Sequence, residues 1–359
     1  MRIAFVHEYL NQFGGAERML ASLSELYPDA PIYTLLYDEA ATKGLFRDRT
    51  VRTSFLQSVP FAKTRHQWYP LLMPLAMEQF DFSQFDVVLS ISASFAKGII
   101  TGPGTKHICY CLTPPRFLWD NSQQFVEEFG FPRVIKKAML PFLSYVRVWD
   151  HHAARRVDEW WSISDFVSSR IEKYYRQPSR RFHPPVETEK FRIGEPKDYF
   201  LMVGRLVSYK KFDIAIRAFN RLGLTLIIAG TGPERSALQE LAGPTVQLLG
   251  QVSDERLIEL YAGARALIFP QEEDFGIVPL EAMASGRPVI AYAAGGALET
   301  VVAGKTGIFF SEQIPESLET AVREFDQATF DPAACRAQAE QFDVSIFKKN
   351  IQQALEIYP

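Results

Sequence analysis

Four charged side chains in the second half of the chain have the types and spacing to hold a phosphorylated ligand: Arg205, Lys210, Glu273 and Glu281. The two glutamates bound the segment Glu273-Asp-Phe-Gly-Ile-Val-Pro-Leu-Glu281, which follows an apolar run ending at Pro270 and opens a helix near Ile277. One carboxylate then sits in the loop before the helix, and the other lies about one turn inside it. Backbone N–H groups of Phe275, Gly276, Ile277 and Val278 fall at that helix start, where they lack intrahelical partners and favour an anion. Two carboxylates beside an anion cradle suit a ligand with both phosphates and hydroxyls. Capping and solvation are the plainer alternative, since acidic residues are favoured in a helix's first turn. Arg205 and Lys210 leave the apolar run ending at Val203 through the segment Gly204-Arg-Leu-Val-Ser-Tyr-Lys210-Lys211. In such a first βα loop the two cations can converge on a diphosphate, with Gly204 permitting close backbone approach. Lys211 reads equally well as a solvated charge.

These residues need a scaffold, and the chain spells one twice. Short β-branched or aromatic runs alternate with helical periodicity, the pattern of parallel sheets covered by helices. Strands are predicted at Ile3–Val6, Ile32–Leu36, Val87–Ile91, His107–Cys111 and Trp160–Ile163 in the first half. In the second half they are Phe200–Val203, Leu224–Ala229, Val246–Leu249, Ala266–Phe269, Pro288–Ala291 and Ile308–Phe310. Ala16, Met19, Leu20, Leu23 and Leu26 mark a helix between the first two strands; Phe212, Ala215, Ile216, Phe219 and Leu222 mark its counterpart in the second half. Several of these strands end near Gly or Pro, where ligands bind in open α/β sheets. His183-Pro-Pro-Val-Glu divides the halves, because two prolines continue neither a helix nor a central strand. The expected organisation is residues 1–190, residues 191–342, and a last helix within 343–359.

Composition agrees with a two-domain globular chain: 359 residues, 47% hydrophobic and 23% charged, exclude collagen-like, disordered and membrane-embedded classes. The N-terminal apolar run is too short for a secretory signal, and no stretch is apolar enough to span a bilayer. Three cysteines, with Cys109 and Cys111 on one face of a strand and Cys335 distant, fit buried thiols in a reducing cytoplasm. Residues 1–190 hold 23 Lys and Arg against 20 Asp and Glu, whereas residues 191–359 hold 16 against 22. All five tryptophans also fall in the first half, which suggests that the basic, aromatic half meets an anionic or interfacial partner. Residues 131–149 and 43–66 mix apolar with basic side chains and could rest on an anionic membrane, or pack as amphipathic helices on their own sheet.

The motifs now converge. Gly204-Arg-Leu followed by Lys210, with Glu-x7-Glu running into Glu281-Ala-Met-Ala-Ser-Gly-Arg-Pro-Val-Ile, resembles the nucleotide-sugar-binding half of retaining glycosyltransferases of family 4. Gly14-Gly15-Ala-Glu-Arg18, Ile163-Ser-Asp-Phe-Val-Ser-Ser-Arg170, Pro184-Pro185-Val186, Gly230-Thr-Gly232-Pro233 and Gly250-Gln-Val-Ser-Asp254 extend the likeness over nearly the whole chain. The resemblance implies an α/β chain of the GT-B fold, two Rossmann-like doubly wound domains facing a central cleft, with the last helix returning to the first domain. Within the family, Tyr110-Cys-Leu-Thr-Pro-Pro-Arg-Phe-Leu-Trp119-Asp120 is most similar to bacterial O-antigen mannosyltransferases.

Carried over residue by residue, the resemblance makes Arg205 and Lys210 the donor diphosphate clamp and Glu281 the ribose-hydroxyl acceptor. Glu273, with backbone groups of Phe275, Gly276 and Ile277, would hold donor-sugar hydroxyls. Gly230 to Pro233 and Gly250 to Val252, including Gly232 and Gln251, would line the nucleobase. Gly14 and Gly15 of the first domain would bring N–H groups to the phosphate. Where relatives often have His, this chain has Leu112, so a His-assisted step loses its candidate. His7, Arg116 and Asp120 are the acceptor-side candidates, although an isolated histidine such as His7 is more often structural. No Asp-x-Asp pair occurs, so positive side chains and a helix N-terminus, rather than a metal, are expected to neutralise the leaving diphosphate. No cofactor is expected. The expected partners are a nucleotide sugar, GDP-mannose, a glycan or lipid-linked acceptor and an anionic membrane surface, with no nucleic acid. A non-catalytic subunit of the same fold and a sugar-nucleotide epimerase are the alternatives. The intact Arg205, Lys210, Glu273 and Glu281 set disfavours the first, and the Glu-x7-Glu segment disfavours the second.

Overall fold

Parallel strands dominate both halves of the chain. The structure, a computed structural model, describes residues 1–120, 122 and 133–358, except for the side chains of 133–140. Contacts divide it into two units: Met1–His183 with Lys348–Pro359, and Pro184–Phe347. The first division therefore falls at the diproline, upstream of the expected 190/191 limit, and the second within the last helix, Val344–Leu355, rather than at 343.

In the first unit, β1 (Ile3–Leu10), β2 (Ile32–Tyr37), β3 (Val51–Thr53), β4 (Val87–Ser92), β5 (Lys106–Cys111), β6 (Glu159–Ser162) and β7 (Arg180–Arg181) form a seven-stranded parallel sheet in the order β3-β2-β1-β4-β5-β6-β7. The expected strands are all present. β3 and β7, which the sequence reading lacked, are short edges bearing Arg52, Arg180 and Arg181, charges that discourage further strand pairing. β1 also runs past Val6 through His7 and Glu8, both buried, so His7 lies inside the strand rather than just after it. One core layer joins Ala4, Val6, Leu35 and Val88 to Met73, Met77, Leu143 and Val146. Cys109 and Cys111 are buried free thiols in β5, and burial pushes the Cys109 thiol up to about 12.

The second unit repeats the plan with β8 (Phe200–Val203), β9 (Leu226–Ala229), β10 (Val246–Gly250), β11 (Leu267–Phe269), β12 (Val289–Tyr292) and β13 (Gly307–Phe310) in the parallel order β10-β9-β8-β11-β12-β13. Helix Phe212–Leu222 forms because Phe212, Ala215, Ile216 and Phe219 repeat on one face, and it ends where Gly223 adopts a left-handed φ of 68°. That face packs with Phe200, Met202, Ile228 and Ile268 of the strands. In both sheets the strand order reverses beside the first strand of the unit, at β1/β4 and at β8/β11, the places where such sheets open a crevice at their carboxyl ends. Among the described residues no helix is long and apolar enough to cross a membrane.

Candidate active site

The β8/β11 reversal brings the sequence-marked residues together. After β8 the chain turns at Gly204, with φ 154°, and passes Arg205 before a short turn, Ser208–Lys210, delivers Lys210. After β11 comes the loop holding Glu273. Lys210 Nζ and Glu273 Oε1 lie 2.9 Å apart, both partly open to solvent. A Cβ on residue 204 would stand 3.2 Å from Lys210 Nζ, so the glycine leaves room for the lysine to cross its own loop. Arg205 is exposed and forms no ion pair among the described residues, which leaves a guanidinium available in the loop that delivers Lys210.

The acidic loop ends at Gly276, φ 93°, and helix Ile277–Ala284 begins. Its first turn leaves the Ile277 and Val278 N–H groups without intrahelical partners, and Pro279 has none to satisfy. Glu281 is 7% exposed, and its Oε2 accepts a hydrogen bond of 2.7 Å from Tyr261 Oη. Tyr261 comes from helix Asp254–Gly263 and escaped the sequence reading. So did Gly295 and Gly296, which brace the loop from the turn after β12. Gly296 N–H donates to the Glu273 carbonyl at 2.9 Å, and a Cβ on Gly295 would lie 2.3 Å from that oxygen. The visible signal was a glycine pair four residues beyond the predicted strand Pro288–Ala291.

Gly230 and Gly232 have a packing reason that spacing did not reveal. A Cβ on Gly230 would lie 1.9 Å from the Gly204 carbonyl oxygen, and one on Gly232 would lie 2.2 Å from that of Leu206. Leu206 N–H also donates to the Thr231 carbonyl at 2.9 Å, and Gly230 N–H to that of Gly250 at 2.8 Å. The three loops after β8, β9 and β10 are thus locked to one another, with Gln251 exposed and Val252 half-buried beyond them.

The first-unit candidates are differently placed. Gly14 caps helix Gly15–Leu26 without a side-chain hydrogen bond, and Gly15 is exposed. His7 is 3% exposed, with Nδ1 3.2 Å from the Ile91 carbonyl and Nε2 3.6 Å from Glu17. Asp120 pairs with Arg170 and accepts from Tyr174 Oη. Arg170 also donates to Thr113 Oγ1 and to the Pro114 carbonyl, tying down the segment that begins at the half-buried Leu112. Arg116 is half-buried in the turn Arg116–Trp119. His107, buried and bonded to Ser90, is held neutral: burial takes its pKa down to about 3. Of the stretch 131–149, residues 131 and 132 and the side chains of 133–140 lie outside the described residues.

With this geometry in hand, the comparisons with known proteins are specific. Residues 185–342 match the family Glycosyl transferases group 1. The match lies within the second unit and contains Arg205, Lys210, Glu273 and Glu281. The alpha-1,3/1,6-mannosyltransferase alg2 of Schizosaccharomyces pombe is 25% identical over 86% of this chain and 70% of its own length. The GDP-mannose-dependent alpha-mannosyltransferase of Corynebacterium glutamicum is 33% identical over 39% of this chain and 38% of its own. Alignments to the first curated relatives span 35 to 50% of those proteins' length. Among solved structures, Anabaena HepE in complex with UDP superposes with a TM-score of 0.72 at 19% identity, covering 99% of this chain and 100% of that one. The GT-B fold, two Rossmann-like units with parallel sheets, is therefore the fold of this chain.

Proposed function

We propose that this chain is a retaining glycosyltransferase that moves mannose from GDP-mannose to a lipid-linked or growing bacterial polysaccharide. The observation that carries the reading is the Lys210–Glu273 pair, 2.9 Å apart at the β8/β11 reversal, with Arg205, which forms no ion pair among the described residues, in the same loop as Lys210 and all three within the group 1 match. Mannose is favoured because two of the relatives are named as mannosyltransferases.

In this reading Arg205 and Lys210 take the donor diphosphate, and Lys210 turns from Glu273 toward phosphate as the ligand arrives. Glu273 is then free to accept hydroxyls of the sugar, while Glu281, oriented by Tyr261, accepts from the ribose. Attack occurs on the face the diphosphate leaves. The bond from the anomeric carbon to phosphate oxygen breaks, the bond to the acceptor oxygen forms, and the acceptor proton passes to the departing diphosphate. Arg205 and Lys210 stabilise the charge that develops there, so no metal is required. A panel of nucleotide sugars, scored for thermal stabilisation and turnover with and without chelator, tests the donor and the metal-free step. Product NMR tests the stereochemistry: an inverted anomer, or strict dependence on Mn²⁺ or Mg²⁺, overturns the corresponding part.

A lipid-linked acceptor calls for a membrane-facing surface on the first unit. Phe61, Trp68, Leu71 and Leu75 are exposed beside Lys63 and Arg65, and the Arg65 guanidinium lies 4.5 Å over the Trp68 ring. No acidic residue occurs between Arg49 and Met77. Sedimentation with anionic vesicles at rising salt should show binding that weakens with ionic strength; salt-independent absence of binding removes this surface and leaves the transfer reaction untouched.

A further inference from the structure

Two buried titratable side chains of the first unit meet beside the Gly14–Gly15 turn, His7 on β1 and Glu17 on helix Gly15–Leu26, and a third, Glu8, is buried next to His7 on the strand. His7 Nδ1 is 3.2 Å from the carbonyl oxygen of Ile91 on β4. A carbonyl only accepts, so Nδ1 carries a proton. Nε2 faces Glu17 Oε1 at 3.6 Å, and a neutral ring would aim its lone pair at that carboxylate. Both ring nitrogens therefore face acceptors, an arrangement satisfied when both are protonated. Glu17 is 1% exposed; its Oε1 also accepts from Gln12 Nε2 at 3.1 Å, while its Oε2 is buried with no hydrogen-bond partner. That second oxygen lies 3.1 Å from where a Cβ on Gly14 would stand, so the carboxylate is folded back against the residue that caps its own helix.

We infer that His7 and Glu17 form a buried imidazolium–carboxylate pair that fixes the Gly14–Gly15 turn, with Glu17 as the positioning residue for the N–H groups that the turn offers to an anionic ligand. The charge balance supports the geometry. Burial alone drives the ring toward neutral, but the facing Glu17, then Glu8 and the Ile91 carbonyl, outweigh it and hold the His7 pKa above its ordinary value. Burial likewise opposes ionisation of Glu17, yet His7 and Gln12 hold its pKa below the usual range. Glu8, the next residue of the same strand, acts on the ring only through its charge: Ser92 Oγ and the N–H groups of Ala93, Ser94 and Ala96 converge on its Oε1 at 2.8 to 3.1 Å.

The ion pair stands independently of the transferase reading, whereas the positioning role rests on it. ¹⁵N-histidine NMR of the full chain, with the His7 signal assigned by its loss in His7→Gln, reads the ring directly. The wild type should show both His7 nitrogens protonated at pH 6, and Glu17→Gln should show one. A singly protonated wild-type ring overturns the pair. Calorimetric titration with GDP and UDP then tests positioning: Glu17→Gln should weaken nucleotide binding several-fold more at pH 6 than Gln12→Ala does. Unchanged affinity in a Glu17→Gln protein whose ring has lost its proton overturns the positioning role. Failure of the wild type to turn over any nucleotide sugar would sink the transferase reading and leave the NMR result standing.

Discussion

The two units share a sheet plan and use charge in opposite ways. In the first, Lys97 Nζ and Asp150 Oδ1 lie 2.5 Å apart with side chains 2% and 1% exposed, and Trp119 and Tyr175 both donate to the other Asp150 oxygen. His7 with Glu17 follows the same habit. In the second, Lys210 and Glu273 stay open to solvent and Arg205 has no acidic partner among the described residues. Buried and fully engaged charges hold a backbone in place; partly open ones can exchange a protein partner for a ligand. A charged residue in such a fold is best judged by what it touches before a ligand arrives.

That contrast can be broken most forcefully at Lys97. Lys97→Met leaves Asp150 buried without its cation and should destabilise the chain by about 3 to 5 kcal/mol, read as a lower urea midpoint. A shift no larger than a surface substitution gives would remove the distinction between the units. Arg205→Ala is its mirror image: nucleoside diphosphate binding should fall about tenfold or more, since a charge-assisted hydrogen bond of roughly 1.5 to 3 kcal/mol is lost. The same variant should change unfolding by no more than about 0.5 kcal/mol. Unaltered nucleotide affinity would strike Arg205 from the site.

The two glutamates sharpen the comparison within the second unit. Glu281→Gln should lose donor affinity and roughly 1 kcal/mol of stability through its weakened bond to Tyr261, whereas Glu273→Gln should lose turnover with nucleotide affinity retained. Equal losses of bare-nucleotide binding would abolish the division of roles. The smallest effect is the pH dependence of the His7–Glu17 pair. His7 has its pKa raised from 6.5, so its contribution is complete below that value and fades as pH climbs through the raised one. Glu17 has its pKa lowered from 4.5, so its contribution is complete above that value and fades as pH falls through the lowered one. The stability gap between wild type and His7→Gln should therefore be widest between about pH 4.5 and 6.5. A gap that keeps growing above that window contradicts the ion pair.

Much of the scaffold was legible because a parallel sheet covered on both faces leaves uninterrupted apolar runs, as in Phe200–Val203 and Val87–Ile91. β3 and β7 were not, since edge strands this short take their conformation from a neighbour rather than from their own side chains. The end of β1 was misread for a related reason: His7 and Glu8 look like the close of a strand, but a central strand can continue through charges whose partners lie on other elements. At the candidate site, residue types and spacing singled out Arg205, Lys210, Glu273 and Glu281 individually. Nothing in the spacing says that Lys210 meets Glu273 or that Tyr261 reaches Glu281, because both contacts depend on how loops and helices from different strands pack.

The interlocked turns at Gly204, Gly230 and Gly232 also bear on how this site can diversify. With less than van der Waals separation available at two of the three positions, that floor is closed to mutational exploration: any side chain there would pry the turns apart and displace Arg205. On the proposed function, a change of nucleobase preference would be written instead on the rim, at the exposed Gln251 and half-buried Val252, where a new side chain can be tried without disturbing Arg205.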